Sequence, residues 1–540
     1  MTLKLCYDVT MLLKWLKNNS LIIIVLVLAL GLRTPLLNGS FWLDEAAQAL
    51  ESSRPFSQQL LIRSDFQPPL IHYITHFALY VSASEWWLRF VGALVPGLIT
   101  IFATYKIGQI LFSKKVGLIS SILLATSSFH IFFSQELRPY SLPAMFGLLS
   151  WWVLLSIIYK RGGGFKDKIK EINIKPLKLS FDRRIIFLII FNSLGLYSSY
   201  LYPFLLLSQL VYIWMMERHY IHQIIFSMVI TSLTFLPWLP SFLGQLQEGG
   251  SVRDQLPGWD KVVSITQIKS IGLTFGKFIY GVLNIDSTMF FVVTTIILLL
   301  VILLIYKDLD KKDLFSYFKN IIINKTKSKK EVLKPLFVLL IAFFVPLLSA
   351  WFISFWVPVL RPKRVLYLLP LFYLIIASSL QFAKKKYFAN TLVTIILMVN
   401  IYSTLSYYLK PSLQRENWRD LHTHITTLYP KQHSVVIFSH PEAFSPWRWY
   451  DDGTYPEIST NTLHIDQVVN MKDKFKEIND FDYVLVFDYL RTLSDPQDKI
   501  ILEVESYGYR QIDIINYPGI GFVRVFAKVD SVLSYHSKRF

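Results

Sequence analysis

A single cysteine, Cys6, in 540 residues excludes an intrachain disulfide and any cysteine-based metal cluster, so an exported part of this chain would have to stand on packing alone. Charge is the second scarcity. Only 17% of the residues are charged, against about 25% in a soluble domain. Hydrophobic residues make up 53% and aromatic residues 16%, and apolar stretches of about 17–25 residues, each long enough for a hydrocarbon core of roughly 30 Å, recur over the first 410 positions. Acids are outnumbered, 37 to 55, but the excess is local rather than spread along a face. It gathers at Lys114-Lys115, from Lys160 to Arg184, from Lys307 to Lys334 and at Lys384 to Lys386. Cytoplasmic loops of membrane proteins carry such clusters, so orientation accounts for the net charge of +18 without nucleic acid as a partner. There is no internal repeat and no phosphate-loop spacing: Gly162-Gly163-Gly164 sits in a basic loop.

Hydrophobicity places spans near 20–37, 89–112, 116–133, 141–159, 184–199, 202–216, 222–240, 286–306, 335–355, 364–383 and 387–409. The first of these follows lysines but has no small-residue cleavage site, and reads as a retained helix. With the N-terminus inside, eleven crossings put every lysine-rich loop in the cytoplasm and the tail outside. The split of 184–216 at Ser198-Ser199-Tyr200 decides the parity. Four outward segments result: Asn38 to Trp87, Ser134 to Tyr140, 241–285, and Trp356 to Lys363.

The first outward loop, 38–87, is expected to hold two interfacial helices, Asp44 to Ser53 and Ile71 to Tyr80, the second opened by Pro68-Pro69. The tail alternates strand-like and helix-like pieces: helices at Trp418 to Leu428, near Asp466 to Phe475 and at Pro496 to Ser506, and strands at Val435 to Ser439, Tyr483 to Asp488, Ile512 to Ile515 and Phe522 to Ala527. The expected class is thus an α-helical polytopic membrane protein, with a membrane domain at 1–409 and an extracytoplasmic α/β domain at 410–540.

Asp44 and Glu45 open a helix, where acids complement the positive end of the helix dipole. Three further features point to chemistry: Asp65 in the same loop, Glu136 and Arg138 in the next outward link, and the cost of an unused acid near a bilayer. Arg361, Lys363 and Arg364 stand at an outer helix end, against the positive-inside trend; snorkelling to lipid headgroups is the alternative account of them. His72 and His76, four apart, together with Asp65 would be donors for a divalent metal ion or merely decorate an interfacial helix. His130 reads as structural, and Tyr197, Tyr200, Tyr202 and Trp86-Trp87 as an aromatic belt.

Taken together, Leu43-Asp44-Glu45, then Asp65-Phe66-Gln67-Pro68-Pro69-Leu70, then Ser134-Gln135-Glu136-Leu137-Arg138-Pro139-Tyr140-Ser141-Leu142, resemble the GT-C membrane glycosyltransferases, the group that includes protein O-mannosyltransferases and the lipid A aminoarabinose transferase. Arg364 to Leu380 resembles that family's arginine-led helix, and Glu416-Asn417-Trp418-Arg419-Asp420 its sequence at the start of the tail. The chain departs from the family at Gln67, where His often precedes Pro-Pro. The resemblance implies transfer of a sugar from a polyprenyl-phosphate donor to a lipid, glycan or protein acceptor on the outer face of the cell membrane, with inversion. It implies Asp44 as general base, with Asp65 as second catalytic acid, and Glu45, Glu136, Arg138, Tyr140, Arg361, Lys363 and Arg364 around the substrates. A phosphate leaving group needs cations rather than an acid partner. The rival classes are a transporter of lipid-linked sugars, whose ionisable residues would lie near the bilayer midplane, and a noncatalytic glycan-binding scaffold.

Overall fold

A computed structural model of the chain describes residues 19–62, 65–159, 171–174, 179–255, 267–284, 288–307, 333–383, 386–439, 445–451, 453–460, 475–517 and 519–528. The Gly162 to Gly164 run, most of the 307–334 lysine loop, Lys384 and Lys385, and all but the end of the helix expected at 466–475 lie outside these residues.

Each of the eleven apolar segments forms helix. Among the described residues, six runs are long and apolar enough to cross a membrane: Glu85–Leu111, Ser141–Tyr159, Arg218–Glu248, Lys334–Ile353, Pro362–Phe382 and Lys386–Leu409. Ser20–Gly31, Arg184–Leu196, Tyr202–Met216 and Thr288–Leu303 are shorter apolar helices. The span expected at 116–133 is broken, because Ser127 takes an extended backbone between Lys114–Thr126 and Ser128–Phe133. The chain is a multi-pass membrane protein, with the six long runs as its framework.

Burial separates inner from outer helices. Of the apolar 18-residue stretch in each run, 83% is buried in Ser141–Tyr159 and Pro362–Phe382, which form the centre, against 28% in Arg218–Glu248 and 33% in Lys386–Leu409, where most of it faces outward. Leu243, Leu246, Met398 and Leu405 on those outer helices are more than half exposed, as lipid-facing residues are. Where apolar packing cannot drive helices together, small residues allow close approach. Gly108 and Gly117 show it: a Cβ on Gly108 would lie 2.6 Å from the Gly117 Cα.

The Ser198-Ser199-Tyr200 break is real. Arg184–Leu196 and Tyr202–Met216 are separate helices, and Tyr197 at the turn accepts the Leu70 amide on its carbonyl at 2.9 Å. The outer loop holds the two expected helices, α1 (Leu43–Ser53) and α2 (Leu70–Leu79), with Pro69 at the N-cap of the second.

The tail opens with helix α3 (Trp418–Leu428) and builds a five-stranded sheet from β1 (Ser434–Phe438), β2 (Glu457–Ser459), β3 (Tyr483–Phe487), β4 (Tyr509–Tyr517) and β5 (Gly521–Lys528). The order is β2-β1-β3-β5-β4, parallel among β2, β1 and β3 and antiparallel for β5 and β4. Continuous apolar runs, Ser-Val-Val-Ile-Phe and Tyr-Val-Leu-Val-Phe, suit central strands covered on both faces. Alternate residues divide accordingly. Val436, Phe438, Leu485 and Phe487 face Trp418, Leu421, Ile425 and Trp447, whereas Val435, Ile437, Val484 and Val486 face Ile478, Ile500 and Val504. The short strand β2 and a helix at Ser445–Tyr450 were not expected from the sequence.

Candidate functional site

All four segments expected to face outward meet at one place. Asp65 and Arg138 bring together the 38–87 loop and the 134–140 link through hydrogen bonds from Nη1 to Oδ2 at 3.2 Å and from Nη2 to Oδ1 at 3.4 Å. Gln245, from the 241–285 segment, donates to the carbonyls of Asp65 at 2.7 Å and Ile62 at 3.0 Å. Lys363, from the fourth segment, sets its ammonium 5.2 Å from the Tyr140 ring centre and 5.9 Å from that of Trp42.

Asp44 and Glu45, adjacent in sequence, have opposite surroundings. Asp44 keeps 31% of its side chain exposed, and Arg138 Nε stands 3.9 Å from its Oδ2. Glu45 is fully buried. Arg89, equally buried, donates to both its oxygens, at 2.8 and 2.5 Å, and the Leu137 amide adds a third bond at 2.7 Å. Burial alone would push the Glu45 carboxyl up, but the Arg89 guanidinium outweighs it and holds the carboxyl below its ordinary range. Helical geometry explains the split: successive positions on α1 point about 100° apart, so one acid faces the open side and the next faces the core.

The sequence reading put Glu45 and Glu136 among substrate contacts; the packing places both in the interior. Glu136 is 1% exposed and accepts from Arg415 Nη2 at 3.2 Å. Burial raises its carboxyl, against the pull of Arg415 and Lys363. A substrate reaching either acid would first have to displace a buried guanidinium. Both acids lock segments together, Glu45 tying α1 to the 85–111 span and Glu136 tying the 134–140 link to the start of the tail.

Arg138 also differs from expectation. With Asp65 on its fork and Asp44 beside it, its charge is met by two carboxylates, which outweigh burial and raise its pKa further above the ordinary value. Its guanidinium is shared between these two acids. Asp65 shows the converse. Burial would raise it, but Arg138 and His72 prevail and hold it at about 2. Gln67 donates to Asp65 Oδ2 and, at 2.5 Å, to Gln48 Oε1. Gln48 in turn donates to His72 Nδ1 at 2.8 Å, leaving the His72 Nε2 proton for Asp65 Oδ2, 3.2 Å away.

Lys363 and Arg364 make no salt bridge to a carboxylate among the described residues. Arg364 donates from Nη1 to the Val359 carbonyl at 3.4 Å, and Tyr140, Arg138 and Asp44 lie within electrostatic reach of it. Arg361 lies within reach of Arg364, Tyr140 and Asp44 as well. Tyr140, 8% exposed, is chiefly the ring against which Lys363 rests.

The two histidines do not act as a pair, since His76 Nδ1 faces the Ser52 carbonyl at 2.8 Å. Among the described residues no three His, Cys, Asp or Glu side chains are arranged to hold a metal. The Arg138 guanidinium lies on the Asp65 oxygens.

Sequence reasoning missed Arg89, Arg415, Gln48 and the coupling of Gln67 to Asp65. Arg89 carried a signal, being an ionisable residue at the head of an apolar run, where charge persists only if paired. Gln48 carried none, because a neutral amide in a helical pattern is ordinary.

The family model described as dolichyl-phosphate-mannose-protein mannosyltransferase matches residues 66–165, which include Gln67, His72, Arg89, Glu136 and Arg138. No curated protein sequence matches the chain. Among solved structures it is similar to ArnT from Cupriavidus metallidurans in the apo state, at 10% identity and a TM-score of 0.56, over 96% of this chain and 99% of that one. The same protein bound to undecaprenyl phosphate matches at 10% identity and 0.55, over 95% and 99%. Archaeal oligosaccharyltransferase AglB from Archaeoglobus fulgidus, in complex with an inhibitory peptide and a dolichol-phosphate, matches at 14% identity and 0.49, over 94% and 74%. This chain is a multi-pass membrane protein with the fold of the GT-C membrane glycosyltransferases.

Proposed function

We propose that the chain is a membrane glycosyltransferase that takes its sugar from a polyprenyl-phosphate carrier and passes it to an acceptor hydroxyl at the outer membrane face, inverting the anomeric carbon. The observation that carries this reading is one exposed acid, Asp44, beside Arg138 at the junction of four loops, with Lys363 from the fourth of them resting against Tyr140 and Trp42. The similarity to a structure solved with undecaprenyl phosphate supports the donor class.

In this scheme the acceptor oxygen forms a bond to the anomeric carbon while the bond from that carbon to the phosphate oxygen breaks. Asp44 takes the acceptor proton. The phosphate departs as an anion, with Lys363, Arg364 and Arg361 supplying positive charge where its negative charge develops. Asp65 stays ionised and anchors Arg138, whose Nε stands 3.9 Å from Asp44 Oδ2. Lipid, glycan and protein hydroxyls all satisfy this chemistry.

We assign residues 1–409 to the membrane domain and 410–540 to an α/β domain outside the cell membrane, with eleven crossings and the N-terminus in the cytoplasm. Support comes from the opposite end of the helical body. There Glu217 pairs with Lys334, Arg184 donates to the Ser156 carbonyl at 2.6 Å, and Lys115 and Lys386 line one cavity of about 280 Å³. Arg184, Lys115, Lys334 and Lys386 each stand in the first turn of a helix, at the end away from the outward segments. Mass spectrometry of lipid-linked sugars in cells lacking the chain tests the function. A polyprenyl-phosphate sugar should accumulate while one envelope glycan, lipid or glycoprotein disappears; unchanged pools of both would contradict it.

A further inference from the structure

The N-cap residue of helix α1 is Trp42, whose carbonyl accepts the amides of Glu45 and Ala46 at 3.0 Å each. That position ordinarily holds Ser, Thr, Asp or Asn, because a side-chain oxygen there accepts one of the first amides of the helix, which have no partner within it. Tryptophan has no such oxygen, and its side chain makes no capping bond. The indole Nε1 is buried and has no hydrogen-bond partner among the described residues. What this side chain does offer is a ring face.

Lys363 uses that face. It is the second residue of the Pro362–Phe382 run and is half-buried, with its ammonium 5.9 Å from the Trp42 ring centre and 5.2 Å from that of Tyr140. Both distances lie within the range over which an aromatic face attracts a cation. The Tyr140 ring is itself backed by Phe133, with ring centres 5.0 Å apart, and Phe133 by Phe129 at 4.9 Å, so one wall of the slot is anchored in the helical core. The other wall is Trp42, two positions before Asp44. A ring face holds an ammonium without neutralising it, as a carboxylate would. The charge of Lys363 thus stays available to a third group.

We propose that Trp42 is a positioning residue that, opposite Tyr140, holds the Lys363 ammonium in an aromatic slot and sets it toward the phosphate of the donor. Trp42 and Asp44 stand in the same turn of chain, so one short stretch places both the base and a cation that meets the leaving group. The inference rests on the reading of Lys363 as a donor-phosphate cation. Loss of the ring face then acts on donor affinity, and acts only through Lys363.

The test uses the full chain in phospholipid nanodiscs and a double-mutant cycle of Trp42→Leu and Lys363→Gln, with Trp42→Phe as the conservative variant. Undecaprenyl phosphate is the probe, and its dissociation constant is the readout. Trp42→Leu keeps apolar bulk but loses the ring face, and should weaken binding about three- to tenfold, the worth of one partly desolvated cation–π contact. Trp42→Phe, which keeps a face, should recover part of that loss. In the Lys363→Gln background Trp42→Leu should weaken binding no further, because the two side chains act as one unit. With extracted lipid-linked sugars, Trp42→Leu should raise the donor KM by a larger factor than it lowers kcat. Equal weakening by Trp42→Leu in both backgrounds would overturn the inference, as would wild-type binding by Trp42→Leu alongside weakened binding by Lys363→Gln. Wild-type binding by Lys363→Gln would instead remove Lys363 from donor binding. The slot itself is then read by acetic anhydride labelling: acetylation of Lys363, followed by peptide mass spectrometry, should be severalfold faster in Trp42→Leu than in wild type, and equal rates would overturn the slot as well.

Discussion

Asp65 and Arg138, 73 positions apart in the chain, are joined by two parallel hydrogen bonds of 3.2 and 3.4 Å, and the same guanidinium reaches toward Asp44. One arginine thus places two carboxylates from one loop around a single charge. Arg138→Lys keeps the charge but loses the fork, because an ammonium is a point donor that cannot span the two Asp65 oxygens. Turnover should fall by about ten- to a hundredfold, about 1.4–2.8 kcal/mol in the barrier, with donor KM little changed. Steady-state kinetics on the two forms decide it.

The same pair sets an acid limit. Asp65 has a folded-state pKa of about 2 against an ordinary 3.8, so its contribution to stability is complete above the ordinary value and fades as pH falls from there toward 2. Between pH 5 and 8 it adds no slope. In Arg138→Gln the guanidinium is gone and burial remains, which raises the carboxyl. Unfolding midpoints in detergent across pH should then show the acid loss below the ordinary carboxylate range shrink or vanish relative to wild type, because the folded-state pKa no longer lies well below the unfolded one.

Glu45 and Arg89 form a wholly buried pair, and breaking it leaves a charge without a partner. Arg89→Ala or Glu45→Ala should cost about 3–5 kcal/mol, seen as a large drop in the thermal midpoint. The double replacement Glu45→Gln with Arg89→Met should recover much of that loss.

How much of this could be read from the chain follows from how local each signal is. The apolar segments, α1, α2, α3 and the central strands depend on short-range pattern, and the α3 bounds coincide with those expected. Ser127 interrupts a continuous apolar run, and hydrophobicity does not register an extended residue inside it. At the site, Asp44, Asp65 and Arg138 were legible as acids and a cation in outward segments. Whether Glu45 faced the core was not, because that turns on Arg89 lying 44 positions away. The hydrogen bond from the Phe41 amide to the Tyr450 hydroxyl, just ahead of α1, was equally hidden, because the two lie 409 positions apart.

Lys363 and Arg364 test the phosphate side. Lys363→Gln and Arg364→Gln should each raise the donor KM about ten- to a hundredfold, the worth of a charged hydrogen bond of about 1.5–3 kcal/mol. Competition by undecaprenyl phosphate should weaken in parallel. Wild-type inhibition in both variants would remove this cluster from donor binding.

The most direct measurement is single-turnover release of undecaprenyl phosphate from lipid-linked sugars by Asp44→Asn, in protein whose thermal midpoint matches wild type. With Asp44 as general base, release should drop about a hundred- to ten-thousandfold while donor affinity holds. Release at the wild-type rate would contradict the account.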